Sequence, residues 1–461
     1  MVFPIAGGTQ DTGYEISNSL RFNDDDSSIL QRTASGGNRR TFTWSSWIKR
    51  GNLFSSASKQ LFTAGDGTTQ ESIMFTNDSF RYIVYNGSSN ITQVRTNALL
   101  RDPSAWYHLV VKVDYTQSTA SNRVKLYING TEQTSLAEST YANQNTDTYY
   151  NQSGNTVRIN NDPRSGVSEF FDGYYADMHF LDGVAYAPTY FGETNDNGVW
   201  IPKKYTGGNY GTNGFYLQFK ETGTSANSSG MGADTSGNDN HFTPTNLAST
   251  DVTTDTPTNN FATLNSLYNF YVQPTLSEGN CKVSHSSAWA GAKANMAVSK
   301  GKWYWEIKLS GSSMGDHHHG VQEINVDENA QNPQNLTGTT VFFNDDGGEI
   351  KVDSTATTSD YGTLGANDIL GVALNMDGGS YGQITFYDNG SAIVSNANLS
   401  SSSDYVAPFG SIGNSTAEYN FGNPSFSISS GNADANGYGN FEYSVPSGYY
   451  ALCTKNLAEY G

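Results

Sequence analysis

The sequence contains few cysteines and few basic residues, and each shortage excludes a class of protein. Cys281 and Cys453 are the only cysteines among 461 residues, too few for a disulfide framework or a cysteine-based metal site. The 25 Lys and Arg stand against 44 Asp and Glu, which gives a formal net charge of −19 and no basic cluster to neutralise nucleic-acid phosphates. No apolar run approaches the roughly 20 residues needed to cross a bilayer. We therefore expect neither a nucleic-acid partner nor insertion into a membrane.

Aromatic residues and glycine are abundant instead, with 29 Tyr, 23 Phe and 48 Gly. So many aromatic side chains require a buried core, which excludes a disordered acidic tail. Helical periodicity is almost absent, and short alternating runs that end in Gly, Asn or Asp are typical of antiparallel strands with tight turns. We therefore predict an all-β protein of two antiparallel β-sandwich (jelly-roll) domains in series. The runs that carry this prediction are residues 41–48, 80–85, 106–113, 124–130, 214–219, 303–309, 369–374 and 384–387.

The composition changes between residues 221 and 280, where Gly, Ser, Thr and Asn dominate and apolar residues are sparse. We predict a first sandwich over residues 1–220, a connector over 221–280 that packs on its neighbours, and a second sandwich over 281–461. The amino terminus lacks the basic and apolar segments of a secretory signal, so we expect no such signal.

The first half carries three segments in a recognisable order: 106–111 (WYHLVV), 126–130 (LYING) and 171–177 (FDGYYAD). Together they resemble strands of the concanavalin A-like domains of the laminin-G and pentraxin type. The resemblance covers roughly residues 15–220 and implies a β-sandwich. The alternating strand around His108 favours a hydrogen-bonded structural role for that residue over a catalytic one.

The second half resembles SPRY domains through segments 301–306 (GKWYWE), 368–374 (DILGVAL) and 384–390 (ITFYDNG), followed by 419–422 (YNFG). This resemblance implies a bent β-sandwich that serves as a binding scaffold and not as a catalyst.

The combination of a concanavalin A-like domain, a Ser/Asn-rich connector and a SPRY domain resembles virion surface proteins of marine tailed bacteriophages. The resemblance implies a homo-oligomeric protein that is made in the bacterial cytoplasm and placed on the virion exterior. Its expected partners are other virion proteins of the capsid or tail, and a glycan or receptor on the host surface.

Catalysis is disfavoured because the acidic residues have the wrong spacing. Glucanases with a concanavalin A-like fold need two carboxylates on one face of one strand, about 5–5.5 Å apart in a retaining mechanism. Glu169 and Asp172 are three residues apart and fall on opposite faces, whereas Glu349 and Asp353 are too widely separated. Walker and HExxH motifs are absent as well. We therefore predict no enzymatic activity and keep a glucanase-like glycosidase as a remote alternative.

Two groups of residues are candidates for metal binding, and no cofactor is required. His317 and His319 could converge on an ion at a trimer axis, although the same run also fits a polar loop between strands. Asp66, Asn160, Asn161 and Asp162 could bind Ca²⁺ through hard oxygen ligands, although Asn and Asp are also ordinary turn residues.

Sugar recognition needs an exposed aromatic platform, and the loop residues Tyr141, Tyr149 and Tyr150 are candidates for it; packing is the ordinary alternative. The sequence thus predicts a non-enzymatic adhesin of the tail-fibre type that binds host glycan by avidity. The alternative is a capsid decoration, head-fibre or tail component that works through protein–protein contacts.

Overall fold

The computed structural model describes residues 13–461, apart from 54–56, 165, 269–271, 287–288, 312–313, 326–338, 346, 354, 357–358 and 401–404. These described residues form two compact units, 13–258 and 259–461, which we call the first unit and the second unit. The stretch 221–280 is divided between them, because its strands pair within one unit or the other. The all-β prediction is confirmed: within the described residues the only α-helix is α1 (Thr454–Tyr460).

The first unit contains eighteen strands, most of which are short and end at Gly, Asn or Asp turns. They are β1 (Ser19–Phe22), β2 (Ile29–Thr33), β3 (Thr41–Arg50), β4 (Ser58–Gly65), β5 (Gln70–Thr76), β6 (Ser79–Tyr85), β7 (Asn90–Leu99), β8 (Trp106–Asp114), β9 (Val124–Ile128), β10 (Thr131–Glu132), β11 (Leu136–Thr140), β12 (Thr156–Ile159), β13 (Gly173–Asp182), β14 (Gly192–Thr194), β15 (Trp200–Pro202), β16 (Phe215–Leu217), β17 (Thr243–Thr245) and β18 (Val252–Thr253). Three 3₁₀ helices connect them, at Ala120–Asn122, Pro188–Tyr190 and Ser249–Asp251.

Two large antiparallel sheets and a small two-stranded one, β14-β15, build the first unit. Sheet A has the order β10-β9-β8-β3-β13-β1-β18, with β16 also paired to β13, and sheet B has the order β11-β7-β6-β5-β4-β12-β2-β17. Alternate side chains of both sheets meet in one aromatic-rich core that includes Phe42, Trp44, Phe62 and Phe180. Trp44 and Phe62 stack across it with ring centroids 6.5 Å apart. This is the sandwich arrangement expected from period-two alternation.

The β9–β10 hairpin follows from its turn residues. Asn129 and Gly130 have positive φ angles of 47° and 76°, as a type I′ turn requires. A side chain at Gly130 would also collide with Trp200, because an added Cβ would lie 2.5 Å from that ring.

Strand β13 carries the feature that positions the candidate site. Its register against β3 shifts between Ala176 and His179, so that Asp177 lies in a β-bulge with a φ of 49°. Met178 and Phe180 point into the core between the sheets, and His179 therefore points to the outer face of sheet A.

The second unit contains two further sheets. Sheet C has the order β19-β20-β31-β22-β27-β28-β29, with β32 paired to β22, and sheet D has the order β21-β30-β23-β24-β25-β26. The strands are β19 (Thr275–Ser277), β20 (Lys282–His285), β21 (Ala290–Lys293), β22 (Lys302–Gly311), β23 (His317–Glu323), β24 (Thr340–Asn344), β25 (Glu349–Val352), β26 (Thr355–Ala356), β27 (Ile369–Asn375), β28 (Gln383–Asp388), β29 (Ser391–Asn398), β30 (Val406–Ile412), β31 (Ser415–Asn420) and β32 (Tyr450–Ala451). One 3₁₀ helix, Met314–Asp316, precedes β23.

Burial of large apolar side chains holds sheets C and D together. Trp303, Trp305, Phe343 and Phe386 lie in one core, and the rings of Phe343 and Phe386 are 6.0 Å apart. Helix α1 is tied to the preceding chain by Asn456, whose side-chain amide donates to Asp434 over 2.7 Å.

Candidate functional site: a tyrosine-lined cleft in the first unit

A cleft of about 410 Å³ in the first unit is lined mainly by tyrosine rings and by small polar side chains. Strand β16 supplies Tyr216 to it, opposite His179 of β13, and the segment before β16 supplies most of the remainder. The lining residues are Tyr14, Lys204, Tyr205, Thr206, Gly208, Tyr210, Tyr216, Gln218, Thr235 and Ser236.

A buried carboxylate supports the cleft from behind. Asp177 is only 3% exposed, and its Oδ1 accepts hydrogen bonds from the hydroxyls of Tyr14 and Tyr216 over 2.7 and 2.6 Å. Its Oδ2 lies 3.3 Å from Nε2 of His179. Burial alone would raise the pKa of Asp177, but the charge of His179 and these hydrogen bonds outweigh it and lower the pKa. Asp177 is therefore an ionised acceptor at neutral pH.

The tyrosine hydroxyls are oriented by this carboxylate. Both hydroxyls lie within hydrogen-bond distance of Oδ1, and they also lie 2.7 Å from each other, so the three oxygens form one hydrogen-bonded cluster in which each phenol has a single proton. The side-chain amide of Gln218 donates to Tyr216 over 3.2 Å. The cleft therefore presents a cluster of hydrogen-bonding oxygens next to aromatic faces.

His179 fixes the position of the rings. It stacks on Tyr216 with centroids 4.1 Å apart and an interplanar angle of 11°, and its Nδ1 lies 2.9 Å from the hydroxyl of Tyr210. Burial raises the pKa of Tyr210 and of Tyr216 well above the ordinary value, so both rings stay uncharged. Lys204 is the one basic residue among the described residues that line the cleft.

The tyrosines predicted as a sugar platform lie elsewhere in the first unit. Tyr150 is buried in the core, where it stacks on Phe62 at 4.6 Å and donates its hydroxyl to the carbonyl of that residue. It therefore offers no exposed ring, which corrects the prediction for this residue. Tyr141 and Tyr149 are half-buried and pack against the core, and their role in sugar binding stays a prediction.

The residues predicted to bind Ca²⁺ have their oxygens engaged within the protein. Oδ1 of Asp66 accepts four hydrogen bonds from Thr68 and Thr69 in its own exposed turn, and those bonds lower its pKa. Asp162 is buried and paired with Arg164 at 2.7 Å.

The two asparagines predicted beside these carboxylates are similarly occupied. Asn160 accepts from the amide of Phe171, and Asn161 accepts from the amide of Glu169. Among the residues that the structure describes, no group of three or more His, Cys, Asp or Glu side chains is arranged to hold a metal ion. Calcium binding stays a prediction.

The histidine run predicted as a possible loop is a buried strand. His317 and His319 begin β23, which pairs with β24 on one side and β30 on the other. Their rings face each other with Nδ1 of His317 3.1 Å from Nε2 of His319, and His319 also contacts the hydroxyl of Tyr419 at 2.7 Å. His317 and His319 are each only 1% exposed, so neither ring lies at a surface that an oligomer axis could cross. Burial lowers the pKa of His317 to about 4.

His108 is held in a structural arrangement. Because the indole N–H of Trp200 can only donate, His108 accepts at Nδ1 over 3.0 Å, and the proton of its neutral ring lies on Nε2 facing Ser45 at 2.8 Å. A ring with that proton cannot take one from Ser45. Burial also lowers the pKa of His108 to about 3. The pair therefore lacks the nucleophile–base relation of a hydrolase.

The cleft was missed at the sequence level because its residues are far apart in the chain. Tyr14 and Tyr216 are separated by 202 positions and meet only after β13 pairs with β16. One signal was present: tyrosines are dense between residues 174 and 216, in a stretch with few apolar aliphatic residues.

In a comparison with known proteins, a family model matches part of the first unit. Residues 23–188 match the model of the Concanavalin A-like lectin/glucanases superfamily. This match confirms the resemblance stated for the first half of the chain over those residues. No curated protein matches the sequence.

Several solved structures are similar at low levels. The SPRY domain of human HERC1 is 16% identical and covers 30% of this chain and 86% of its own, with a TM-score of 0.25. A heptameric SAP-like pentraxin from Limulus polyphemus is 17% identical over 38% of this chain and 80% of its own, with a TM-score of 0.27. The CBM40 of Ruminococcus gnavus IT-sialidase, bound to α2,3-sialyllactose, is 17% identical over 32% of this chain and 87% of its own, with a TM-score of 0.24. These values are too low to carry an argument about function.

In the part of the chain that the structure describes, no helix combines the length and the hydropathy needed to cross a membrane.

Proposed function

We propose that this protein binds carbohydrate without transforming it, and that the tyrosine-lined cleft of the first unit holds the glycan. The observation that carries the proposal is the pair of hydroxyls of Tyr14 and Tyr216, which lie 2.7 Å apart and are both held by the buried Asp177. Sugars combine hydroxyl donors with apolar C–H faces, and the cleft offers acceptors and aromatic rings side by side. The superfamily match over residues 23–188 supports the same class of ligand.

The absence of a catalytic pair at the cleft supports a binding role. Glycoside hydrolysis uses two carboxyl groups on either side of the scissile bond. None of the described lining residues is a carboxylic acid. Asp177 lies behind the tyrosine hydroxyls and is ionised, so it has no proton to give to a leaving group.

The test is a glycan array with the full chain, followed by calorimetry on the sugars that bind. Replacing Tyr14 and Tyr216 together by Phe keeps the rings and removes both acceptors, so we expect affinity to fall roughly tenfold. Tyr141→Ala and Tyr149→Ala serve as comparison variants in the same unit. If those two abolish binding and the double Phe variant does not, the loop platform is the site and the cleft is not.

The same preparation tests for catalysis. Incubation with laminarin-type and other bound polysaccharides is followed by a reducing-sugar assay. We expect no release of sugar from any polymer that binds. Release of sugar that is lost when one acidic residue is neutralised would contradict the binding proposal and show that the protein is a glycosidase.

We further propose that binding takes place on the exterior of a phage particle, with many weak sites acting together as a homo-oligomeric host adhesin. This setting is based on the sequence resemblance to virion surface proteins. Purified protein is added to host cells and, in parallel, to capsids that lack it. Saturable cell binding supports the adhesin, whereas attachment to capsids without cell binding supports a decoration or tail component.

A further inference from the structure

An aromatic strip continues from the cleft along the outer face of sheet A. The centroids of Tyr216 and Tyr210 are 6.4 Å apart, and those of Tyr210 and Tyr205 are 5.2 Å apart. The next rings are Tyr186 and Tyr190, which stack on each other at 4.0 Å with an interplanar angle of 5°. We call these five residues the tyrosine strip.

One contact joins the outer pair of rings to the cleft. The hydroxyl of Tyr186 donates to the carbonyl of Gly207 over 3.3 Å, and Gly207 lies between two residues that line the cleft. The outer pair is therefore attached to the wall of the cleft.

Tyr190 is the exposed end of this strip. It is 40% exposed, and its position is held from behind by Tyr186, whose backbone amide donates to Oγ1 of Thr43 over 2.8 Å. A ring that is held flat but left open to water is a preformed platform, and little conformational entropy is lost when a ligand covers it.

We propose that the ligand is a segment of a linear glycan chain that lies along the tyrosine strip, and not a single terminal sugar. This inference rests on the proposed carbohydrate-binding function and specifies its ligand class. The cleft holds one part of the chain through Tyr14 and Tyr216, and successive sugar units cover Tyr205 and then Tyr190. Affinity then rises with chain length until the strip is covered.

The experiment titrates the full chain with cello-, laminari-, chito- and galacturonate oligosaccharides, each from monosaccharide to hexasaccharide. For the series that binds, we expect affinity to increase with length by at least tenfold overall. Tyr190→Ala is expected to lower hexasaccharide affinity at least threefold and to leave the shortest binding member unchanged. Tyr381→Ala, which removes a ring 45% exposed in the second unit, is the matched control and should change neither value.

The outcomes separate the two proposals. Binding that is independent of length, or that Tyr190→Ala leaves unchanged at every length, overturns the chain-binding inference and leaves the cleft as a site for a terminal sugar. Failure of all the oligosaccharides and of the glycan array to bind overturns the proposed function itself. A thermal unfolding curve for each variant confirms that a loss of affinity is not a loss of fold.

Discussion

Both units of the protein use a buried glutamate to hold a long loop. In the first unit the carboxylate of Glu71 accepts hydrogen bonds from the consecutive backbone amides of Tyr149 and Tyr150 and from the hydroxyl of Tyr82. Burial raises the pKa of Glu71 to about 7, although these hydrogen bonds oppose the rise.

The second unit repeats the arrangement with a side-chain amide among the donors. Glu306 accepts from the consecutive amides of Glu442 and Tyr443, from the hydroxyl of Tyr304, and also from the side chain of Asn420. Burial again raises the pKa of the carboxyl group, against the effect of the hydrogen bonds. In both units a buried carboxylate thus holds a loop by accepting hydrogen bonds from two consecutive backbone amides.

The two units differ in the surroundings of their histidines. His179 in the first unit lies beside Asp177 and contacts the hydroxyl of Tyr210, so both of its nitrogens have partners. His318 in the second unit is buried against the rings of Trp289 and Phe342, and the side chain of Asn344 is its hydrogen-bonding neighbour. The comparison indicates that two polar contacts fix the ring of His179, whereas aromatic packing surrounds most of His318.

Removal of Asp177 is expected to have the largest effect. Asp177→Ala leaves the donors on Tyr14, Tyr216 and His179 without their acceptor, which costs on the order of 3 kcal/mol of stability and releases the rings. Glycan affinity should fall at least tenfold, measured by calorimetry beside thermal unfolding. Asp66→Ala is the control, because it removes an exposed carboxylate of the same unit and should cost about 1 kcal/mol or less with no loss of affinity. Equal affinities in the two variants would contradict the role given to Asp177.

The pH dependence of stability distinguishes the two glutamates. The carboxyl group of an unfolded chain titrates near 4.5 and that of Glu71 at about 7, so the folded protein holds an extra proton between these values. The free energy of unfolding therefore decreases as pH rises through this window, by on the order of 3 kcal/mol, and levels off above it. Glu71→Gln keeps the amide acceptor and should remove this dependence.

The matched variant in the second unit is Glu306→Gln. The side-chain amide of Asn420 stabilises the charged form of Glu306, so this variant should remove a smaller part of the pH dependence than Glu71→Gln does. Urea unfolding at a series of pH values from 4.5 to 7.5 measures both differences. A larger effect for Glu306→Gln would reverse the comparison.

Replacing each histidine by phenylalanine should change stability by different amounts. His179→Phe breaks the contacts with Asp177 and Tyr210 and should cost about 2 kcal/mol. His318→Phe keeps the ring beside Trp289 and loses only the interaction with Asn344, so it should change stability by about 1 kcal/mol or less. The midpoints of urea unfolding measure both changes, and a His318→Phe variant destabilised as much as His179→Phe would contradict the comparison.

The strands could be predicted from the sequence because alternation is local. The runs 106–113 and 124–130 form strands β8 and β9 as predicted, since each depends on the alternation of neighbouring residues. The run at His317 was harder to assign, because histidine and glycine have weak strand preference. Its strand forms through pairing with β24 and β30, which a local pattern does not contain.

The candidate site could not be predicted for a related reason. The bulge at Asp177 depends on the register of β13 against β3, and the contact of Tyr14 with Tyr216 depends on the whole sheet. The loop sequence around Tyr150 favoured this residue as part of an exposed sugar platform, but its ring is buried in the core.

The smallest expected effect comes from the hydroxyl of Tyr205, which is buried without a hydrogen-bond partner in the described structure. Tyr205→Phe removes that unpaired group and keeps the ring in the strip, so stability should rise by less than about 1 kcal/mol and glycan affinity should stay the same. Tyr216→Phe is the matched variant, because its hydroxyl donates to Asp177, and it should lose both stability and affinity. Calorimetry and thermal unfolding of the two variants measure affinity and stability. They test whether a tyrosine hydroxyl in this cleft contributes to either one only when it contacts the buried carboxylate. A loss of affinity in Tyr205→Phe would show that the ligand itself reaches this hydroxyl.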